Sequence, residues 1–153
     1  MTRQLRSLIL LCIPVIFFTP SASIAELVRF EVMEIESPTF DGRSFGSVGQ
    51  YEMITARATI VVAPEHALNS GIADIELAPT NENGRVEATV DVAILRPVDL
   101  SKGSGRLFYE VLNRGDKRSF MLMNDAPWVT WYLGLDAGNG HLMNEGYTVV
   151  WSG

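Results

Sequence analysis

The fold is decided by the stretch Gly146-Tyr-Thr-Val-Val-Trp-Ser-Gly153 and by an earlier one, Leu107-Phe-Tyr-Glu-Val-Leu112. Both are almost entirely apolar. This is typical of strands in a parallel sheet whose two faces are both covered by other elements. The segment between them is long enough for the crossover that joins two parallel strands. We expect two short helices in that crossover, one beginning near Asp116 and one near Asn139. The sequence therefore predicts two neighbouring strands that point the same way.

The residues before these strands have a different pattern, with a period of two. Strands are predicted over Leu27 to Glu36, Tyr51 to Val62 and Arg85 to Arg96, the last one preceded by the turn signal Asn83-Gly84. Alternation of apolar and polar residues is typical of antiparallel strands with one wet face. We therefore predict an α/β fold: an incomplete sheet with parallel strands over 81–153, preceded by a β-rich amino-terminal region over 26–80.

The first 25 residues have the features of a signal peptide. Arg3 and Arg6 precede an apolar run, and Ser21-Ala-Ser-Ile-Ala25 has the small side chains that signal peptidase requires, so cleavage is predicted after Ala25. No later segment approaches the ~20 apolar residues needed to cross a bilayer. We predict a secreted or periplasmic protein that does not bind the membrane after signal cleavage.

Charge and cysteine content exclude several kinds of function. The chain has 12 basic and 18 acidic residues. Residues 1–25 hold two of the basic ones and none of the acids, so residues 26–153 carry a formal charge of minus 8. Nucleic acid is a poor partner for such a surface. Cys12 is the single cysteine, so residues 26–153 offer no thiol chemistry, and we expect no metal and no cofactor.

Three segments resemble one known family. They are DIELAPTNENGRVEATVDVAILRPVD at 74–99, RLFYEVLNRGDK at 106–117 and DAGNGHLMNEGYTVVWSG at 136–153. In order and spacing they are similar to the bacterial secreted α/β-hydrolase-domain proteins. The resemblance covers most of residues 45 to 153, and it implies that residues 81–153 are the first strands and the crossover of an incomplete α/β-hydrolase-type sheet. It implies a serine-esterase-like acyl hydrolase acting on a small-molecule ester or acyl substrate.

The resemblance also implies roles for particular residues. The loop Asn113-Arg114-Gly115 follows the strand whose end, in such hydrolases, contributes a backbone N–H to the oxyanion hole. The nucleophile elbow, the catalytic acid and the histidine belong further along the family's chains. The segments GSG at 103–105 and SFGSVG at 44–49 neither follow a buried strand nor open a helix. We therefore expect no catalytic residue here, and an amino-terminal fragment that is inactive by itself and prone to self-association.

An alternative from another class is a secreted β-rich binding module. Trp128, Trp131 and Tyr132 cluster in the crossover, and aromatic rings form large contact surfaces for sugars or aromatic substrates. Packing beneath a long loop explains the same cluster without any ligand. The substrate, the oligomeric state and the physiological role are not fixed by these residues.

Overall fold

The computed structural model of the chain describes residues 24–127 and 135–153. Its strands are β1 (Ala25–Glu36), β2 (Ser44–Phe45), β3 (Gly49–Val62), β4 (Val86–Pro97), β5 (Leu107–Val111) and β6 (Thr148–Ser152). Its α-helices are α1 (Arg118–Asn124) and α2 (His141–Asn144). Short 3-10 helices cover Phe40–Gly42, Ala67–Asn69, Ile75–Leu77 and Leu100–Lys102.

The strands form one sheet in the order β1-β3-β4-β6-β5, with β2 paired to β3. The β1–β3, β3–β4 and β4–β6 pairs are antiparallel, whereas β5 and β6 are parallel, with Phe108 opposite Val149. The predicted direction and adjacency of the two apolar strands are therefore confirmed. The β3–β4 ladder runs from Tyr51 opposite Pro97 to Val62 opposite Val86, so the regions predicted over 26–80 and 81–153 share one sheet.

The predicted α/β fold class is wrong. Strand accounts for 43% of the described residues and helix for only 19%, and the sheet is mixed. An α/β fold needs helices on both faces of a mostly parallel sheet. Here α1 and α2 are short, and three of the four strand pairs along the main sheet are antiparallel.

The helices cover one face of the sheet. That face carries the main core, in which Leu95 of β4 and Trp151 of β6 pack against Phe120 of α1 and Met143 of α2. The apolar pattern of β5 is typical of a strand covered on both faces, but Leu107, Tyr109 and Val111 are 61%, 54% and 69% exposed. Side chains of a strand alternate between faces, so β5 presents these three residues on the face that no described helix covers.

Two bulges keep the apolar side of β1 in register. The register shifts lie between Leu27 and Arg29 and between Val32 and Glu34. As a result the apolar residues of β1 lie opposite alternate residues of β3, with the pairs Leu27–Ile60, Phe30–Ala58, Val32–Ala56 and Ile35–Ile54. Without the extra residue at each bulge, half of these side chains would change face.

Two predictions fall at the limits of the described chain. Residues 1–23 of the predicted signal peptide lie outside the described residues, whereas Ala25, the predicted cleavage residue, begins β1 opposite Val62. Within residues 24–127 and 135–153, no helix is long and apolar enough to span a membrane.

Candidate functional site

A cleft of about 360 Å³ opens on the helix-covered face, beside β1 and β3. Its polar lining is Glu36, Thr39, Asp41, Thr55 and Lys117, and its apolar lining is Phe40, Met53, Ala93 and Leu135. We call it the Lys117 cleft. Small-molecule sites are concave and combine apolar side chains with polar groups that orient the ligand. The cleft therefore defines the candidate site.

Lys117 is the unusual residue of the cleft. It precedes α1 and is only 6% exposed, although lysine is seldom buried so completely. Burial disfavours the ammonium and lowers the Lys117 pKa from 10.5 to about 8, while the nearby Glu110 carboxylate partly opposes this shift. The Nζ atom lies 5.4 Å from the centre of the Trp151 ring. Slightly alkaline conditions therefore leave much of this amine neutral, the form that acts as a base or nucleophile.

Glu110 is held by donors from β6 and from the start of α1. Its Oε2 accepts from Trp151 Nε1 at 3.0 Å and from the Ser119 N–H at 3.0 Å, and its Oε1 accepts from the Arg118 N–H at 2.9 Å. Trp151 Nε1 also donates to Ser119 Oγ at 3.1 Å. These bonds fix α1 to the sheet and so fix the position of Lys117, which immediately precedes the helix.

The predicted oxyanion loop forms a tight turn after β5. Arg114 and Gly115 both have positive φ values, 55° and 86°, and the Asp116 N–H donates to the Asn113 carbonyl at 3.2 Å. Two consecutive left-handed residues are typical of a type I′ turn, and glycine adopts this conformation at little cost. Within the described residues, the N–H groups of Arg114 and Gly115 donate to no acceptor. The turn thus leaves two backbone donors for another molecule.

The turn lies at the end of the sheet where β5 and β6 both finish. Leu112 donates its N–H to the Ser152 carbonyl at 2.9 Å, and Gly153 donates to the Asp91 carbonyl at 3.2 Å. Lys117 follows Asp116, the last residue of the turn, and is the second residue after Gly115 in the chain. Carboxyl ends of parallel strands are common ligand sites because loops diverge there.

The sequence contains a serine pattern that the interpretation of 44–49 missed. Residues 42–46 read Gly-Arg-Ser-Phe-Gly, which matches G-x-S-x-G letter for letter. A nucleophile elbow turns from a strand into a helix, but Ser44 begins β2 and pairs with Gln50 in a hairpin. Phe45, the next residue, is buried in the core. The local structure therefore does not make Ser44 an elbow nucleophile.

The two histidines and the predicted aromatic cluster lie apart from the Lys117 cleft or outside the described residues. His66 Nδ1 accepts from the Leu68 N–H at 3.2 Å, which is a capping role, and His141 begins α2 on the exposed surface. In the part of the chain that is described, no three His, Cys, Asp or Glu side chains converge on a common metal position. Trp128, Trp131 and Tyr132 lie outside the described residues.

Comparison with known proteins adds no family assignment. No protein-family model matches the chain, and neither the curated proteins nor the solved structures include a significant match.

Lys117 makes the stability of the fold depend on pH. Below a pH of about 8, Lys117 is charged in the folded state, and the desolvation of its ammonium lowers the free energy of unfolding. Between pH 8 and 10.5 the folded state has lost this proton while the unfolded state still holds it, so the free energy of unfolding rises with pH. The free energy of unfolding, measured relative to Lys117→Met, should therefore rise by about 1–2 kcal/mol between pH 7.5 and 9.5.

Urea denaturation at a series of pH values measures this effect. Burial raises the pKa of Tyr51, so this residue changes the free energy of unfolding only above about pH 10, where tyrosine ionises in the unfolded chain. The range from pH 7.5 to 9.5 therefore excludes the titration of Tyr51. Lys102→Met removes an exposed positive charge and serves as the control. A difference between wild type and Lys117→Met that stays constant over this range would show that Lys117 is not an ammonium in a desolvated position.

Proposed function

We propose that this chain provides the amino-terminal part of an exported, serine-esterase-like hydrolase of small carboxylic esters or related acyl compounds. The observation that carries the proposal is the turn at Arg114 and Gly115, placed at the end of β5 beside the parallel strand β6. The segments NRG and GYTVVWSG, on which the family resemblance largely rests, form this same part of the molecule.

The chemistry of acyl transfer explains why such a turn is useful. Attack on an ester carbonyl places negative charge on its oxygen, and fixed N–H donors that point at this oxygen lower the barrier. The N–H groups of Arg114 and Gly115 are adjacent, and the hydrogen bond from the Asp116 N–H to the Asn113 carbonyl closes the turn that carries them at the end of β5. A backbone donor has the further advantage that its position does not depend on a side-chain rotamer.

The proposal assigns the nucleophile, the acid and the base to residues other than those described. Ser44 lacks the elbow geometry, and within the described residues neither His66 nor His141 is hydrogen-bonded to a serine hydroxyl. The chain by itself is therefore expected to hydrolyse p-nitrophenyl butyrate no faster than the buffer does. The natural protein at its full length is expected to be the active species.

A pair of variants in the full-length protein tests the role of the turn. Gly115→Val forces a branched side chain into φ +86°, which should distort the turn and lower kcat/KM for p-nitrophenyl butyrate by roughly 100-fold. Arg114→Gly removes the side chain but suits a positive φ, so it should retain near wild-type activity. Unfolding midpoints show whether either variant is simply unfolded.

Two results would overturn the proposal. One is a full-length protein that cleaves no p-nitrophenyl ester between the acetate and the octanoate. The other is a Gly115→Val variant that is folded and keeps the wild-type kcat, because the turn would then have no part in stabilising the transition state.

A further inference from the structure

The Lys117 cleft has a chemical character that ester hydrolysis does not use. A buried primary amine lies in a cleft that also has the apolar side chains Phe40 and Met53 and the hydroxyl of Thr55. The apolar wall suits a short hydrocarbon chain, and the hydroxyl suits a polar oxygen. The Trp151 ring beneath the amine limits the number of positions that the lysine side chain adopts.

We propose that the Lys117 cleft takes up a small, uncharged aldehyde and that the Lys117 amine captures it as an imine. Neither Arg114 nor Gly115 lines the cleft, and the inference does not depend on ester hydrolysis. A lysine that is partly neutral near pH 8 has the protonation state that this reaction requires.

The reaction is balanced without any other reagent. The nitrogen lone pair attacks the carbonyl carbon, and the carbonyl oxygen becomes the hydroxyl of a carbinolamine. The C–O bond then breaks, the oxygen leaves as water with the two protons that the amine has lost, and a C=N bond remains. No oxidant or reductant takes part in the capture itself.

The charges around the cleft select against anionic compounds. Glu36 and Asp41 are both part of its lining, and their carboxylates repel a carboxylate or phosphate on the incoming molecule. This favours butanal over 4-oxobutanoate, an aldehyde with the same number of carbons and a negative charge. The two compounds form a matched pair of probes.

The chain has only two lysines, and the second provides an internal control. The Lys102 side chain is 54% exposed and lies 3.8 Å from Asp99. The chain is incubated with butanal and cyanoborohydride at pH 8, and the two lysine-containing peptides are quantified by mass spectrometry over time. We expect Lys117 to be alkylated at least roughly tenfold faster than Lys102, and 4-oxobutanoate to abolish that preference.

Variants of β3 separate cleft binding from general amine reactivity. Thr55→Phe fills the cleft, whereas Thr59→Phe adds the same ring to the same face of β3 outside the lining. Thr55→Phe should lower the Lys117 rate to that of Lys102, and Thr59→Phe should leave it unchanged. Lys117→Arg should remove the modification at that position.

The wild-type chain tests the proposal by itself, even if a variant fails to fold. Alkylation of Lys117 that is absent, or no faster than that of Lys102, would overturn the proposal. An unchanged Lys117 rate in folded Thr55→Phe would also overturn it, because the aldehyde would then react without entering the cleft. Asp41→Asn should increase the rate with 4-oxobutanoate, and a decrease would contradict the assigned charge selection.

Discussion

Gly138→Ala is expected to lower the free energy of unfolding by roughly 3–5 kcal/mol, a large part of the ~5–15 kcal/mol that stabilises a typical domain. A Cβ atom at Gly138 would overlap the carbonyl oxygen of Asn124 and lie 2.9 Å from the nitrogen of Ala126. Both are backbone atoms, so no side-chain rotation relieves the contact. The φ of +56° adds a further penalty of about 1 kcal/mol for any residue with a Cβ.

The cost is high because the chain crosses itself at this point. Asn139 donates its N–H to the Asn124 carbonyl at 2.7 Å, immediately beside the position of the added methyl group. Asn124 is fully buried, and its side chain donates to the Ala137 carbonyl and accepts from the Leu142 N–H. Movement away from the methyl group would therefore break the bonds that join the end of α1 to the start of α2.

Gly84→Ala is the matched control for this prediction. Gly84 has a φ of +71°, but a Cβ there meets no atom within 4 Å, so only the backbone strain of about 1 kcal/mol applies. Urea denaturation of both variants separates strain from steric overlap. Equal losses of stability in the two variants would show that the crossing between Asn124 and Gly138 is looser than described.

The antiparallel part of the sheet could be predicted closely from the sequence. In β3 and β4 the apolar residues recur at every second position, and Asn83-Gly84 marks the turn before β4, so local pattern and tertiary pairing agree. The direction of β5 relative to β6 was also predictable, since the intervening crossover is too long for a hairpin and both strands are apolar. These features depend on neighbouring residues or on simple chain length.

The covering of the sheet could not be predicted in the same way. Apolar residues on both sides of β5 indicated helices on both faces, but Tyr109 and Val111 are exposed in the described structure. An apolar run shows that a strand tolerates burial, not that the chain supplies the covering layer. The bulges of β1 were equally hidden, because the spacing of Leu27, Phe30, Val32 and Ile35 suits one face only after the register shifts.

The candidate site was also only partly predictable from the sequence. The turn at Asn113-Arg114-Gly115 was indicated by a local signal, a glycine directly after an apolar strand. The burial of Lys117 depends on Trp151 and Glu110, which come from other strands, and no local pattern carries that information. The sequence signal that could have indicated its burial was the position of Lys117 between a predicted loop and the apolar stretch beginning at Phe120.

Trp151→Ala is expected to destabilise the fold by about 3–5 kcal/mol. The Trp151 side chain is completely buried in the main core, and its ring centre lies 5.3 Å from that of Phe120. Truncation leaves a cavity between β6 and α1, and it also removes the donor that Glu110 Oε2 and Ser119 Oγ share. Because Lys117 lies over the same ring, the Lys117 cleft should lose its fixed geometry together with the core.

Two further variants separate the cavity from the hydrogen bonds. Trp151→Phe keeps most of the apolar contact but loses the indole N–H, and we expect a cost of about 1–3 kcal/mol. If the bond to Ser119 contributes, Ser119→Ala should cost less in the Trp151→Phe background than in wild type, and a double-mutant cycle measures this coupling. A Trp151→Phe variant as stable as wild type would mean that the indole N–H adds nothing to the attachment of α1 to the sheet. The ring packing and the bonds from the Arg118 and Ser119 N–H groups to Glu110 would then be sufficient to position Lys117.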